Sequence, residues 1–209
     1  MIARKRQHNR SLLDSDDEDE IFGKVEPAKK KSQSLPPGLN AAFVKKLADL
    51  MLHLDPTKDL DQPHRLSCEQ GVFKEEFEKS LDPKSLSAQH LKFFEEQLIK
   101  YLEDDLFLLK ALMPVLADSD SKQDPDSLIR IFLNIEPLQV NLANFLLEKF
   151  AILSHEDFHK SDPKAGLHRK ILNSLRWLNF IVDGEQLTSK LMELLDGASD
   201  DVLIEIVVS

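Results

Sequence analysis

Apolar residues recur every three or four positions through most of the chain after residue 38, which is the spacing of amphipathic helices. The first stripe covers residues 40–54, and Asn40 is placed to cap that helix. Further helices are predicted over Glu69–Ser80, from about Ser85 to Leu102, and from Asp105 until Pro114 ends or kinks the run. No segment alternates apolar and polar residues for long enough to predict a convincing strand.

The second half of the chain repeats this pattern with shorter connections. Helices are predicted over Ser127–Ile135, from Pro137 to Leu153, from Asp162 to Val182, and from residue 185 to a break at Gly197. The total is eight or nine helices, and the last four or five should form antiparallel hairpins. We therefore predict an all-α fold, an α-solenoid of helical hairpins of the HEAT or ARM kind, although no exact sequence repeat is present.

A tail of alternating charge blocks precedes the helices. Residues 1–37 carry little apolar surface, so we expect them to be disordered and residues 38–209 to form the helical-repeat segment. Ser15 directly precedes a run of five acidic residues and is a candidate phosphorylation site, with an unmodified serine as the alternative. Two basic clusters form a candidate nuclear-localisation signal, with a merely solvating tail as the alternative. These clusters are Arg4, Lys5, Arg6 and Lys29, Lys30, Lys31.

Composition narrows the class of protein. The 209 residues carry a net charge of −10, to which residues 1–40 contribute +1 and residues 41–209 contribute −11. An acidic folded part argues against a broad nucleic-acid-binding face, because such faces neutralise phosphates with Lys and Arg. Cys68 is the only cysteine, which excludes an internal disulfide and any CxxC motif. Without a signal peptide or an apolar run of about 20 residues, we expect a soluble protein of a reducing compartment, with no membrane partner.

Two short motifs imitate functional sites. His155–His159 reads HEDFH and fits the H-E-x-x-H pattern of zinc peptidases, but it lies in a polar connector and lacks an obvious third ligand. Surface histidines are the favoured interpretation. Gln89–Phe94 is similar to sliding-clamp-binding peptides, but Ser87 and His90 occupy the positions where Gln and an aliphatic residue are needed. Phe94 is better explained as a core residue. We therefore predict no catalytic residue, metal, cofactor or small-molecule substrate, and no enzyme.

The segment LRWLNFIVDGEQLTSKLMELL carries a resemblance to a known family. Its matching positions are Arg176, Trp177, Leu178, Asp183, Gly184, Leu187, Thr188 and Lys190. The helix pair before it also matches, at Leu138, Gln139, Leu146, Glu148 and Lys149. Both stretches resemble the N-terminal region of the Fanconi anaemia group D2 family, and the resemblance covers about residues 65–209.

The resemblance implies a role in the nucleus. Members of that family are large nuclear α-solenoids that pair with the Fanconi anaemia group I protein, clamp onto DNA and receive one ubiquitin during interstrand-crosslink repair. They are scaffolds, and their ubiquitin-accepting lysine lies beyond the matched segment, so it is not in this chain. The family continues with Ser and then Leu-Pro-Glu-Ile where this sequence stops at Ser209, so we expect an N-terminal portion, truncated at its C-terminus. The rival hypothesis is an unrelated helical-repeat adaptor that binds a protein partner.

One physical expectation follows from the last residues. The run Val202–Val208 is apolar except at Glu205, and an exposed run of this kind favours association. The sequence alone therefore predicts concentration-dependent oligomers of the 209-residue chain.

Overall fold

A computed structural model describes most of the chain that follows the N-terminal tail. The residues it describes are 38–81, 88–117, 126–156, 158–159, 161–176, 178 and 180–197. Within these ranges the chain forms eight helices and three short strands. The structure is therefore mostly helical, as predicted, whereas the prediction of an all-α chain without strands is wrong.

The first helix is shorter than its apolar stripe. Helix α1 covers Ala41–Asp49, and the side chain of Asn40 accepts a hydrogen bond from the Ala42 amide at 2.8 Å, which confirms the predicted cap. Met51 then adopts a left-handed backbone with φ of 67°, which ends the helical path. Leu52 and His53 form β1, and Leu52 is fully buried. The predicted end near residue 54 is wrong because Met51 leaves the helical conformation and Leu52 is buried in a strand instead.

The strands make one small sheet in the order β1-β2-β3. Strand β2, Arg65–Leu66, pairs antiparallel with β1 and parallel with β3, Leu116–Ala117. Leu66 faces Leu52 on one side and Ala117 on the other. Each strand has two residues, too few to show a period of two, and their partners are far apart in sequence. Tertiary pairing therefore decides this sheet.

The three helices of the middle region lie close to their predicted positions. They are α2 Gln70–Leu81, α3 Ala88–Leu102 and α4 Asp105–Ala111. Asp104 caps α4, since its carboxylate accepts hydrogen bonds from the amides of Leu106 at 3.0 Å and Phe107 at 3.4 Å. This carboxylate also pairs with Lys58, in the loop between β1 and β2.

The second half contains the helices α5 Leu128–Leu133, α6 Glu136–Ser154, α7 Leu167–Arg176 and α8 Gly184–Gly197. Pro137 lies in the first turn of α6, as predicted. Helix α7 begins five residues later than predicted, because Asp162–Gly166 form turns that end at Gly166, whose φ is 77°. It also ends six residues earlier, at Arg176.

Helix α6 lies at the centre of the packing, in contact with α3, α5, α7 and α8. A cluster of buried aromatic rings joins the first half to α5, with centroid separations between 4.9 and 6.4 Å. Its members are Phe43, Phe73, Phe77, Phe94 and Phe132. Phe94 is 2% exposed, which confirms that it is a core residue. The stacking of hairpins into a solenoid stays a prediction.

Among the described residues, no helix carries an apolar stretch of the length that a bilayer requires.

Candidate functional site: an aliphatic groove between three helices

A groove opens where α6, α7 and α8 meet. Its cavity volume is about 280 Å³. The walls come from the middle of α6, the second half of α7, the connector after it and the first half of α8. The lining residues are Leu147, Leu172, Leu175, Arg176, Leu178, Ile181, Gly184, Leu187, Thr188 and Leu191.

The chemistry of the groove is almost entirely aliphatic. Seven of its ten lining residues are Leu or Ile, and the polar atoms are those of Arg176, Thr188 and the backbone. Leu187, in the first turn of α8, is 8% exposed, whereas Ile181, in the connector before this helix, is 58% exposed. A surface of this kind binds apolar side chains, since it offers few groups that could orient a charged or strongly polar ligand.

Most of the predicted family-matching residues converge here. Five of them, Arg176, Leu178, Gly184, Leu187 and Thr188, line the groove. Trp177 lies outside the described residues. The sequence matched these positions as a linear string, and the structure brings them to one surface.

Asp183 and Lys190 support α8 from outside the groove. The Asp183 carboxylate accepts a hydrogen bond from the Gln186 amide at 3.0 Å, in the first turn of the helix. Lys190 lies 3.4 Å from Glu148 of α6 and 3.5 Å from Glu193 of its own helix. The hydrogen bond to Glu148, followed by the charge of Glu193, raises the pKa of Lys190. These two residues fix the start of α8 and its contact with α6.

Gln139 positions the connector between α7 and α8. Its buried side-chain amide donates to the carbonyls of Leu133 and Phe180, both at 2.9 Å. Its oxygen accepts from the Val182 amide at 2.7 Å. Because Phe180 and Val182 bond to this side chain rather than within a helix, the predicted continuation of α7 to Val182 is wrong. Gln139 therefore holds the connector that carries Ile181 into the groove wall.

Lys149, another matched position, joins α6 to the start of α4. Its ammonium donates to the Glu103 carbonyl at 2.7 Å and to the Asp105 carboxylate at 2.9 Å. The matched residues of α6 are thus packing and bridging residues.

A buried polar network lies in the first half of the molecule and was not predicted. Lys110, fully buried at the end of α4, donates to the Asp55 carboxylate at 2.5 Å and to the Thr57 carbonyl at 2.8 Å. His64 accepts from the Asp55 amide through Nδ1 at 3.1 Å and contacts the Tyr101 hydroxyl through Nε2 at 3.0 Å. Since Nδ1 accepts a hydrogen bond, a neutral His64 carries its proton on Nε2, and this N–H donates a hydrogen bond to the Tyr101 hydroxyl. The network ties the loop between β1 and β2 to α3 and α4.

Burial sets the ionisation of this network. Burial, aided by the positive charge of Lys110, lowers the pKa of His64 to about 4. Burial also raises the pKa of Tyr101, and the charges of Asp55 and Asp104 add to this effect. For Asp55, burial alone would raise the pKa, but the hydrogen bonds from Lys110 and Thr57 outweigh it and lower the pKa. At neutral pH the network therefore contains one ion pair and a neutral histidine and tyrosine.

A second, more polar cavity of about 560 Å³ lies beside α5 and α7. Arg130 lines it and is held by Asp126 at 3.0 Å, while Asp126 also accepts from Gln70 of α2 at 2.8 Å. These bonds join α2 to the start of α5.

The zinc-peptidase pattern does not adopt the geometry of that site. Helix α6 ends at Ser154, and His155 follows it as the C-terminal cap. His159 lies in the connector, where its Nδ1 is 2.9 Å from the Ser161 hydroxyl. The two histidines therefore do not lie one turn apart on a helix. Across the part of the chain that the structure describes, no three His, Cys, Asp or Glu side chains come together to hold a metal ion.

The remaining predicted sites lie outside the described residues. These are the localisation clusters Arg4, Lys5, Arg6 and Lys29, Lys30, Lys31, together with Ser15. They stay predictions.

A mostly helical chain whose candidate site is an aliphatic groove has the features of a protein-packing segment. A model of the family described as "Fanconi anaemia protein FancD2 nuclease" matches residues 1–209. The chain belongs to this family.

Two curated relatives share this assignment. The Fanconi anemia group D2 protein homolog of Mus musculus is 29% identical over 213 residues, which cover 95% of this chain and 14% of the mouse protein. The Rattus norvegicus homolog is 26% identical over 147 residues, covering 66% of this chain and 10% of the rat protein. The chain therefore spans about one seventh of the length of the mouse relative.

Proposed function

We propose that this chain is the N-terminal part of a nuclear DNA-repair scaffold that pairs with the Fanconi anaemia group I protein. In this proposal the complete protein is a solenoid that clamps DNA and is monoubiquitinated during interstrand-crosslink repair. The ubiquitin-accepting lysine lies outside this chain. The segment itself acts by packing against protein, without a small-molecule substrate, a cofactor or a membrane partner.

The match of the family model to residues 1–209 carries this proposal. The positions that resemble the family form one connected structural unit: Gln139 holds the connector, Asp183 caps the first turn of α8, and Lys190 joins α8 to α6. A unit built for helix packing supports a scaffold role. The description of the family model includes the word nuclease, but the described residues that match the family act as packing and bridging groups, and we propose no catalytic role for this segment.

The pairing can be tested on the natural protein that contains this chain. We expect an endogenous copy tagged at its N-terminus to co-purify with the group I protein of the same organism. After treatment with a crosslinking agent, the tagged protein should form nuclear foci and gain one ubiquitin. Failure to recover the group I protein, together with an absence of foci, would refute the repair role and favour the unrelated adaptor.

Nuclear import is a separate part of the proposal. The two basic clusters, at residues 4–6 and 29–31, should direct a fluorescent fusion of the chain to the nucleus. Replacing all six basic residues with Gln should disperse the fusion. A matched control replaces six lysines of the helical segment that lie outside these clusters. Equal nuclear accumulation of the two variants would rule out the signal.

A further inference from the structure

The polar cavity lies beside two helices, α5 and α7, that carry positive charge without any carboxylate. Neither helix contains an Asp or Glu, whereas every other described helix contains at least one. The positively charged side chains of the pair are Arg130 of α5 and Arg169, Lys170 and Arg176 of α7. In a chain whose net charge is −10, these two helices therefore form a local concentration of positive charge.

Helix α7 contributes two polar side chains to the cavity wall. Lys170 and Asn173 are three positions apart, so their side chains are neighbours on the helix surface, and both line the cavity. Both residues are exposed. Within the described ranges, neither side chain has a hydrogen-bond or ion-pair partner. An ammonium and an amide are therefore available to a ligand from one face of α7.

Arg130 contributes donors from α5, on another part of the same wall. Its Nη1 lies 3.0 Å from the Asp126 carboxylate, and this ion pair holds the guanidinium in place. Its Nε is buried and meets no acceptor among the described residues. Because a guanidinium carries five N–H donors, the ion pair leaves part of its capacity unused. Arg130 is therefore a held cation that still lacks acceptors.

The charge and the donors of the wall favour an anion with several oxygens. Arg130 and Lys170 supply two positive charges and Asp126 supplies one negative charge, which leaves a net charge of +1. Asp126 also accepts from Gln70 at 2.8 Å, so its carboxylate is satisfied within the protein. Three donor side chains match the three terminal oxygens of a phosphate monoester, whereas a carboxylate presents only two oxygens. The volume of about 560 Å³ lies in the range of ligand pockets.

We propose that this cavity binds a phosphate monoester group, with Lys170, Asn173 and Arg130 as the donors. The group belongs to a phosphorylated protein side chain or to free inorganic phosphate, because both present the same oxygens. An extended nucleic acid is disfavoured, since its affinity depends on many phosphate contacts and only two cationic side chains line the cavity. The site is separate from the aliphatic groove, and its ligand does not depend on pairing with the group I protein.

An NMR titration of the isotope-labelled 209-residue chain tests the site, with the Arg130 Nε–Hε signal as the readout. The probes are N-acetyl-phosphoserine amide, inorganic phosphate, N-acetyl-aspartate amide and a short oligothymidylate. All are compared at one ionic strength, because salt screens exposed charges. We expect the phosphoserine derivative to shift the signal saturably and to bind about fivefold more tightly than the aspartate derivative, since it offers one more charged hydrogen-bond acceptor.

A pair of lysine variants separates the site from a general effect of charge. Lys170→Gln should weaken binding of the phosphoserine derivative about fivefold, whereas Lys170→Arg should keep it within about twofold. Lys45→Gln is the matched control, since Lys45 of α1 is also exposed, does not line the cavity and changes the net charge equally. We expect this control to change binding by less than about twofold. Circular dichroism of each variant confirms that the helices are retained.

Each result decides for or against the proposal. Saturable shifts that weaken in Lys170→Gln but not in Lys45→Gln support it. Tighter binding of the phosphoserine derivative than of inorganic phosphate then assigns the group to a protein side chain, and the reverse order assigns it to free phosphate. Equal affinity for the aspartate derivative, preferred binding of the oligothymidylate, equal losses in the two Gln variants or the absence of any shift would each overturn the phosphate site.

Discussion

Within the buried network of the described residues, Asp55 supplies the only negative charge in contact with Lys110. Neutralising the Asp55 carboxylate should therefore destabilise the fold. The substitution Asp55→Asn keeps the shape of the side chain and an oxygen that accepts hydrogen bonds. It therefore leaves the local turn at Thr57 in place, where the Asp55 side chain accepts from the Thr57 amide at 2.9 Å. What it removes is the negative charge beside a fully buried ammonium.

The magnitude follows from the burial of the two partners. Breaking a fully buried ion pair costs about 3–5 kcal/mol, because the remaining charge stays in a medium of low polarity. The Asp55 side chain is 21% exposed, so water already screens part of the attraction. We therefore expect a loss of about 2–3 kcal/mol, close to the upper range for hydrogen bonds to charged groups.

Urea unfolding monitored by circular dichroism measures this loss. With a slope of about 2 kcal/mol per M, the midpoint should fall by about 1–1.5 M. Asp59→Asn is the matched control, since Asp59 lies in the same loop and accepts from the Asp61 amide at 3.0 Å without contacting Lys110. We expect the control to change stability by less than about 0.5 kcal/mol. Equal midpoints for the two variants would refute the argument.

Three further predictions concern other buried groups. Folding lowers the pKa of His64 from its ordinary 6.5 to about 4, so the unfolded chain binds a proton more readily between these two pH values. The free energy of unfolding should therefore keep its full value above pH 6.5 and fall by about 3 kcal/mol as the pH is lowered to 4. Urea midpoints measured across this pH range should show a smaller fall for His64→Asn, while the same change at exposed His53 should leave the profile unaltered. Gln139→Leu removes the hydrogen-bond partner of the Val182 amide and the Phe180 carbonyl in the connector and of the Leu133 carbonyl in α5, and it should cost about 2–4 kcal/mol. The exposed control Asn141→Leu should cost less than about 0.5 kcal/mol in the same urea assay, and equal losses would contradict a positioning role for Gln139. Phe94→Ala removes a ring shared by several helices and should cost about 3–5 kcal/mol, and a loss below about 1 kcal/mol would show that the aromatic cluster is not the core.

The predictable parts of the fold depend on neighbouring residues. Asn40, Asp104 and Ser127 cap helices through bonds to amides two or three residues away, so their effect is visible in the local sequence. Pro137 likewise begins α6 through its own backbone geometry. Helix existence was therefore predicted well, although several boundaries were not.

The buried network escaped prediction although one signal was present. Lys110 interrupts the apolar run LFLLKALM, and a lysine on a predicted buried face requires an anion nearby. Its partner Asp55 lies 55 residues earlier, in a loop whose position depends on the small sheet. Periodicity cannot identify such a pair.

Residue types at short spacing were enough to predict that the chain is mostly helical, which helix faces are apolar and which family it resembles. Tertiary structure alone decided that Leu52 becomes a strand, that α7 ends at Arg176, and that the matched string becomes the wall of a groove. The Gln139 side chain, on α6, makes the hydrogen bonds that the backbone of the connector requires. Because these bonds join residues 41 and 43 positions apart, a pattern of neighbouring residues cannot predict them.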